Sequence, residues 1–315
     1  MSDLEKTVIS KGRRFLLRVE TSHEAEDYRK YEDIRNDIWD FPDDHLAGSR
    51  NMMCESFLAE GGSLFIGVFP EARGGFPLDG AGLAGFCYGF AGVADKEVGF
   101  RDPANLRFYS QFAGVRPEFR AFGLGVLMKE FQRDVVLRRF GIGTIICTYD
   151  PLTGVNAFRN VHHFGMEVLE YRVATYGEYG GLLNRSDVAS DRFLMSWDLR
   201  REGRRDGPPA AAGIPVLQVD SRRVRGRTSE VELETVREAE PVTEGDVLLV
   251  RVPLDFYRVL RETDVDDPEV RRIPVDWRLQ TRRAFLALFG RGYKVVDFLK
   301  SGGAPPANHY VLTRR

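Results

Sequence analysis

The segment Phe108–Gly125, which reads FYSQFAGVRPEFRAFGLG, constrains this chain more than any other. Arg107–Val115 has strand character, and a turn carrying Pro117, Gly123 and Gly125 follows it. An amphipathic pattern then begins at once. Over Gly123–Phe140 the apolar positions Leu124, Leu127, Met128, Phe131 and Val135 share one helical face. Gly123 and Gly125 have no Cβ, so backbone N–H groups at this turn can approach a ligand closely. Those groups and the helix dipole together favour a diphosphate, and Arg120 adds a guanidinium. Taken alone, the glycine pair is equally a loop that merely caps a helix. It is not a dinucleotide fingerprint, because Met128 stands where the third glycine is required, and no Gly-Lys-Ser/Thr follows to make a phosphate-binding loop of the Walker type.

The rest of the chain reads as an α+β protein. Phe15–Glu20 is a strand, His23–Trp39 a helix with Ser22 as its N-cap, and His45–Leu58 a second helix. Ser63–Phe69 and Gly82–Val93 form a β-meander with the Arg107–Val115 strand. After the long helix come a short apolar strand at Thr144–Tyr149, a short helix at Val155–Phe164, and strands at Glu167–Tyr176 and Arg192–Asp198. Arg200–Gly213 breaks every periodicity with charge, Pro and Gly, as a linker does. Beyond it, strands are expected at Val216–Val219, Val231–Val236 and Val247–Val252. A helix follows at Asp276–Phe289, then strands at Tyr293–Leu299 and His309–Leu312. The expected organisation is a domain over residues 1–200, a linker over 201–213 and a smaller α+β domain over 214–315. A length of 315 residues suits two domains.

Composition narrows the function classes. With 45 basic and 47 acidic side chains, nothing asks for a polyanion partner, so nucleic acid is not expected. The average hides an asymmetry: 24 basic against 29 acidic residues lie before Arg201, and 21 against 18 from there on. Cys54, Cys87 and Cys147 are widely spaced, which argues against a disulfide framework or a cysteine zinc site and for buried thiols in a reducing cytoplasm. No metal site is expected. The N-terminal stretch has no apolar signal region, and the longest neutral run, near Gly80–Ala94, is too short for a membrane span. A cytoplasmic protein with no membrane partner is the expectation.

Val115-Arg116-Pro117-Glu118-Phe119-Arg120-Ala121-Phe122-Gly123-Leu124-Gly125 resembles the acetyl-CoA-binding signature of the GNAT acyltransferase superfamily. In that pattern a strand leads through Val-x-Pro-Glu-x-Arg into Arg/Gln-x-x-Gly-x-Gly/Ala at the start of a helix. The resemblance spans roughly residues 13–198. It implies a mixed, mostly antiparallel central sheet with splayed strands and helices on both faces. It also implies that Phe112, Ala113, Gly114, Val115, Arg120, Ala121, Phe122, Gly123, Leu124 and Gly125 hold acetyl-CoA or another acyl-CoA. Asn156 matches an asparagine near the pantetheine arm, and Asn160 belongs to the same short helix. Tyr149-Asp150-Pro151-Leu152 with Asn156-Ala157 is similar to a subgroup of large GNAT proteins with an extra C-terminal region. Trp277-Arg278, Arg282, Gly292-Tyr293, Asp297-Phe298 and Tyr310-Val311-Leu312 are its further marks here.

The departures from that pattern concern catalysis. Val161 stands where a general-acid tyrosine is common, so the proton donor must come from elsewhere: from His162 or His163, or from Tyr149 at the strand end. The histidines are otherwise surface or packed side chains, and Tyr149 otherwise a packing residue. Tyr109 occupies the place of a base carboxylate, with Gln111 on the same face by the strand period of two. Neither is a good base at neutral pH. Asp150 either acts on the acceptor amine or caps the following loop. Arg278, Arg282 and Arg283 are placed to bind a carboxylate bidentately or to form a solvated helix face.

The C-terminal region resembles the second half of a GNAT fold without the Gly-rich turn. It is expected to cover the acceptor cleft or to mediate homodimerisation. The expected activity is transfer of an acetyl or succinyl group from CoA to a small, amino-acid-like amine acceptor. The alternative is a non-catalytic CoA-binding or scaffold protein on the same frame.

Overall fold

A computed structural model describes residues 3–22, 24–39, 62–177, 180–181, 183–201, 213–302 and 306–314. The helix expected at His45–Leu58, Cys54 and most of the expected linker lie outside these residues. The chain divides into two compact units. One comprises Met1–Cys147 with Asp198–Arg201, the other Thr148–Trp197 with Glu202–Arg315. The division runs through the strand Thr144–Tyr149, and it places residues 148–197 with the C-terminal region.

The first unit is built on strands β1 (Glu5–Ser10), β2 (Arg13–Val19), β3 (Ser63–Pro70), β4 (Gly85–Val93), β5 (Leu106–Val115) and the start of β6 (Thr144–Tyr149), in that spatial order. All neighbours are antiparallel except β5 and β6, which are parallel. Strand β1 was not expected, because its residues are mostly exposed and carry no apolar alternation. It exists as the partner of β2. Lys11 and Gly12, with φ of 48° and 77°, make the two-residue turn that matches the twist of a hairpin.

Helix α1 (Arg29–Trp39) begins after a 3₁₀ turn at Ala25–Tyr28, and the residue ahead of that turn is Glu24, with no side-chain cap. Ser22 lies too far upstream to cap. Its Oγ accepts from the Glu24 N–H at 3.0 Å and donates to Asp27. Tyr28 and Tyr31 pack on Phe65 of β3, which stacks on Tyr88 of β4 at 4.3 Å. Helix α2 (Leu124–Val135), extended by a wider π turn over Val136–Phe140, buries Leu124, Met128, Phe131 and Val135. Each fully buried side chain of this size contributes about 1.5–3 kcal/mol.

The second unit contains α3 (Gly154–Ala157), continued as a π turn over Phe158–His163, and the antiparallel pair β7 (Glu167–Arg172) and β8 (Arg192–Asp198). A short β9 (Ile214–Pro215) precedes the hairpin β10 (Val219–Arg225) and β11 (Glu230–Val236). The expected strand at Val216–Val219 is instead a bend that delivers the chain to β10. Strand β12 (Leu248–Val252) leads to α4 (Phe256–Glu262), α5 (Pro268–Arg271) and α6 (Ile273–Gly290), and the chain closes with β13 (Lys294–Ser301) and β14 (Ala307–Thr313). A second sheet has the order β13-β14-β12-β9. This is the additional α+β architecture expected of the region.

Helices α4 and α5 were not expected, yet both are announced by N-caps. Asp255 accepts from the Arg258 N–H at 3.0 Å, and Asp267, followed by Pro268, accepts from the Glu269 N–H at 2.9 Å. Phe193, Phe285, Phe298 and Tyr310 form the aromatic core of this unit in edge-to-face pairs. Among the described residues no helix is long and apolar enough to cross a membrane.

Candidate functional site

Strand β5 pairs with β6 at only two positions, Phe108 with Ile145 and Tyr109 with Ile146. On its other edge it follows β4 along its whole length, with a bulge that leaves Gln111 as the extra residue. The bulge breaks the period of two on which the shared face of Tyr109 and Gln111 was based. Before it, Ser110 faces α2, where its Oγ meets Lys129 Nζ at 2.5 Å and Gln132 Oε1 at 2.9 Å. After it, Phe112 and Gly114 face α1. Phe112 meets the Trp39 ring edge-on at 5.6 Å. A Cβ on Gly114 would lie 2.7 Å from Trp39 and 2.8 Å from Ile38, so this glycine admits α1 to the strand. Ala113 and Val115 pair with Cys87 and Gly85 of β4. Cys87 and Cys147 are buried.

At the end of β5 the chain makes a 3₁₀ turn over Pro117–Phe122, which contains Arg120 and Ala121. Gly123 then adopts φ 65°, ψ 17° and starts α2 at Leu124. This left-handed conformation is what glycine provides without strain. Gly123 occupies the N-cap position, and no side chain caps the helix. No acidic residue stands in the first turn, where one would complement the dipole and repel an anion. Val126 N–H donates to the Gly123 carbonyl at 3.0 Å, while the N–H groups of Leu124 and Gly125 belong to the first turn, where a helix supplies no i−4 acceptor. Arg120 is exposed and leans back so that its Nε donates to the Val115 carbonyl at 3.3 Å. Arg116, by contrast, is committed to α1: it reaches Asp37 at 2.5 Å and the Leu83 carbonyl at 2.9 Å.

Tyr109 is half-buried on β5 with its ring 5.5 Å from Phe90. The other candidates lie in the second unit. Asn156 donates to Thr153 Oγ1 at 3.1 Å and accepts from Arg159 at 3.0 Å. Asn160 is buried, and its side chain accepts from Arg159 Nε at 3.1 Å. Tyr149 is buried with its hydroxyl 3.1 Å from that of Tyr310, which in turn donates to the Pro151 carbonyl at 2.8 Å. Burial, followed by Tyr149, holds the Tyr310 hydroxyl well above its ordinary value.

His162 Nδ1 lies 2.9 Å from Asp297 Oδ1, and Asp297 is buried beside a bulge in β13. The same oxygen accepts the Phe298 N–H at 2.8 Å. In the tautomer that donates from Nδ1 to this carboxylate, Nε2 is the acceptor nitrogen. The sequence marks Asp297 only through the family resemblance, since nothing local tells that it meets a residue 135 positions away.

The arginines of α6 do bind carboxylates bidentately, but the carboxylates are the chain's own. Arg278, 1% exposed, clasps both oxygens of Asp150, and Arg282 clasps both oxygens of Asp191 at 2.8 Å. Arg283 pairs with Glu240. A solvated face is thus ruled out for Arg278. Burial alone would raise the Asp150 carboxyl, but Arg278, with help from Arg192 at 3.7 Å, outweighs it and holds the group below the ordinary value. Asp150 also accepts the Leu152 N–H at 2.9 Å, which is the loop role expected of it. Tyr171 donates to Asp191 at 2.7 Å, and burial pushes its hydroxyl far up. Among the described residues no cluster of His, Cys, Asp or Glu is placed to hold a metal ion.

No family model and no curated protein matches this sequence. Among solved structures, the ribosomal-protein-S18-alanine N-acetyltransferase of Escherichia coli is similar at 15% identity and a TM-score of 0.40. That match covers 59% of this chain and 96% of the other. The ribosomal-protein-S5-alanine acetyltransferase of Vibrio fischeri is similar at 10% identity and a TM-score of 0.42, over 62% of this chain and 97% of the other. NAA60 of Arabidopsis thaliana, in complex with acetyl-CoA, is similar at 14% identity and a TM-score of 0.41, over 58% and 97%.

Proposed function

We propose that this protein binds an acyl-CoA at the Val115–Gly125 turn and transfers the acyl group to an amine. The observation that carries this reading is the N-terminus of α2. It has a left-handed glycine for a cap, no capping side chain and no acidic first-turn residue, and it sits at the end of a strand whose pairing with β6 stops at Tyr109. Such a helix end is electrostatically complementary to a diphosphate. The sequence pattern Val-x-Pro-Glu-x-Arg-x-x-Gly-x-Gly over the same residues supports acyl-CoA as the diphosphate ester concerned.

In this reading Leu124 and Gly125 donate backbone N–H groups to the diphosphate, with Gly123 keeping the approach clear and Arg120 adding charge. Backbone groups of Phe112–Val115 align the pantetheine arm and polarise the thioester carbonyl. The thioester supplies an activated acyl group: the amine nitrogen bonds to its carbonyl carbon, the C–S bond breaks and the thiol leaves. Among the candidate proton carriers named from the sequence, His162 is anchored within its own unit, its Nδ1 2.9 Å from Asp297 Oδ1. The acceptor is a small amine, and the acyl group is acetyl or succinyl.

A second reading, a non-catalytic CoA-binding protein, is favoured by Val161 in the acid position and by the engagement of the Tyr149 hydroxyl with Tyr310. Calorimetric titration with acetyl-CoA and succinyl-CoA tests the first step, and absence of binding to both sinks the proposal. Release of free thiol with a panel of amines separates enzyme from binder. Turnover with any amine ends the second reading.

A further inference from the structure

The β1–β2 hairpin reaches the turn that precedes α2. Ser10 Oγ, at the hairpin tip, donates to the Phe122 carbonyl at 2.7 Å, one residue ahead of Gly123. Phe15 of β2 packs edge-on against Phe122 at 5.3 Å and Phe119 at 6.4 Å. Arg13, directly after the tip, lays its guanidinium over the same rings, 5.1 Å from Phe119 and 6.0 Å from Phe122.

Its neighbours on β2 are spent on carboxylates, Arg14 on Glu71 and Arg18 on Glu5. Arg13 is exposed, and among the described residues it has neither an ion pair nor a hydrogen bond from its side chain. A guanidinium held near aromatic rings by cation–π attraction keeps its N–H donors for another partner, and its fork suits a phosphate monoester bidentately.

We infer that Arg13 is a ligand-reading residue of the turn: it binds the 3′-phosphate monoester on the ribose of coenzyme A, while the α2 N-terminus holds the diphosphate. The assignment rests on the acyl-CoA reading above. It makes the hairpin, which carries no part of the Gly-rich motif, a component of the binding site. It also gives the site a means to distinguish coenzyme A from its 3′-dephospho form.

The test is calorimetric titration of the full chain and of Arg13→Gln with coenzyme A and with 3′-dephospho-coenzyme A, alongside a thermal melt of each protein. The wild-type protein is expected to prefer coenzyme A by about tenfold, as befits one charge-assisted bidentate contact. Arg13→Gln should lose that preference by weakening only the phosphorylated ligand. If the variant keeps the wild-type preference, or loses affinity equally for both ligands, Arg13 is a packing residue and the inference falls while the acyl-CoA reading stands. If the wild-type protein binds neither ligand, both fall together.

Discussion

The turn before α2 and the buried side of α6 both gather arginines, and they use them in opposite ways. On α6, Arg278 and Arg282 each close on a carboxylate of the same chain in a two-point clasp, Asp150 and Asp191 being almost wholly removed from water. At the turn, among the described residues, Arg120 reaches only a backbone carbonyl and Arg13 only aromatic faces, while no side chain caps the helix beside them. A closed set of charges holds a fold together. An open set beside an uncapped helix start is the arrangement the proposed ligand site would use. The difference lies in partners, since residue type and charge are the same in both places.

The closed set is expected to give the largest effect. Asp150→Asn leaves Arg278 buried without a counter-charge and should cost about 3–5 kcal/mol, read by urea denaturation. Replacing both residues, Asp150→Asn with Arg278→Met, should cost less than the single change. A loss below about 1 kcal/mol in the single variant would break the contrast drawn above. Its pH dependence follows from the direction of the shift. The Asp150 carboxyl is held below the ordinary 3.8, so its contribution is present above that value and is lost as pH falls through the lowered one. The wild-type protein should therefore lose stability more steeply below about pH 4 than Asp150→Asn does.

The open set is next. Gly123→Glu places a carboxylate where the diphosphate would sit and should weaken acyl-CoA binding by about 100-fold or more in titration. An unchanged affinity would remove the turn from the binding site. The smallest expected effect belongs to Tyr171→Phe, which takes one donor from Asp191 while Arg282 keeps its clasp. A loss of about 1–2 kcal/mol on denaturation is expected, and a larger one would mean that the tyrosine, and not the arginine, secures that carboxylate.

Much of the first unit was legible from local pattern. The strand, turn and helix over Leu106–Val135 follow from alternation, proline and glycine placement and a 3.6-residue apolar stripe, all of them properties of neighbouring residues. Strand β1 was hidden because an exposed edge strand needs a partner more than a hydrophobic pattern. The bulge at Gln111 was hidden because it is a mismatch between two strands, and one strand read alone keeps perfect time. The short helices α4 and α5 were legible in their Asp caps, Asp267-Pro268 above all, though too short to show a periodic face.

The sequence by itself determined the chemistry of the turn: a glycine that can take φ 65°, a helix that starts at the next residue, and no carboxylate to fill its end. Those are choices of backbone conformation made within a few residues, where sterics and hydrogen bonding are local. Which arginines would be consumed was decided only by the tertiary structure. Asp150 and Arg278 are 128 positions apart, and Asp191 and Arg282 are 91 apart. An ion pair depends on distance and on exclusion of water, and packing alone brings such residues together and dries the space between them.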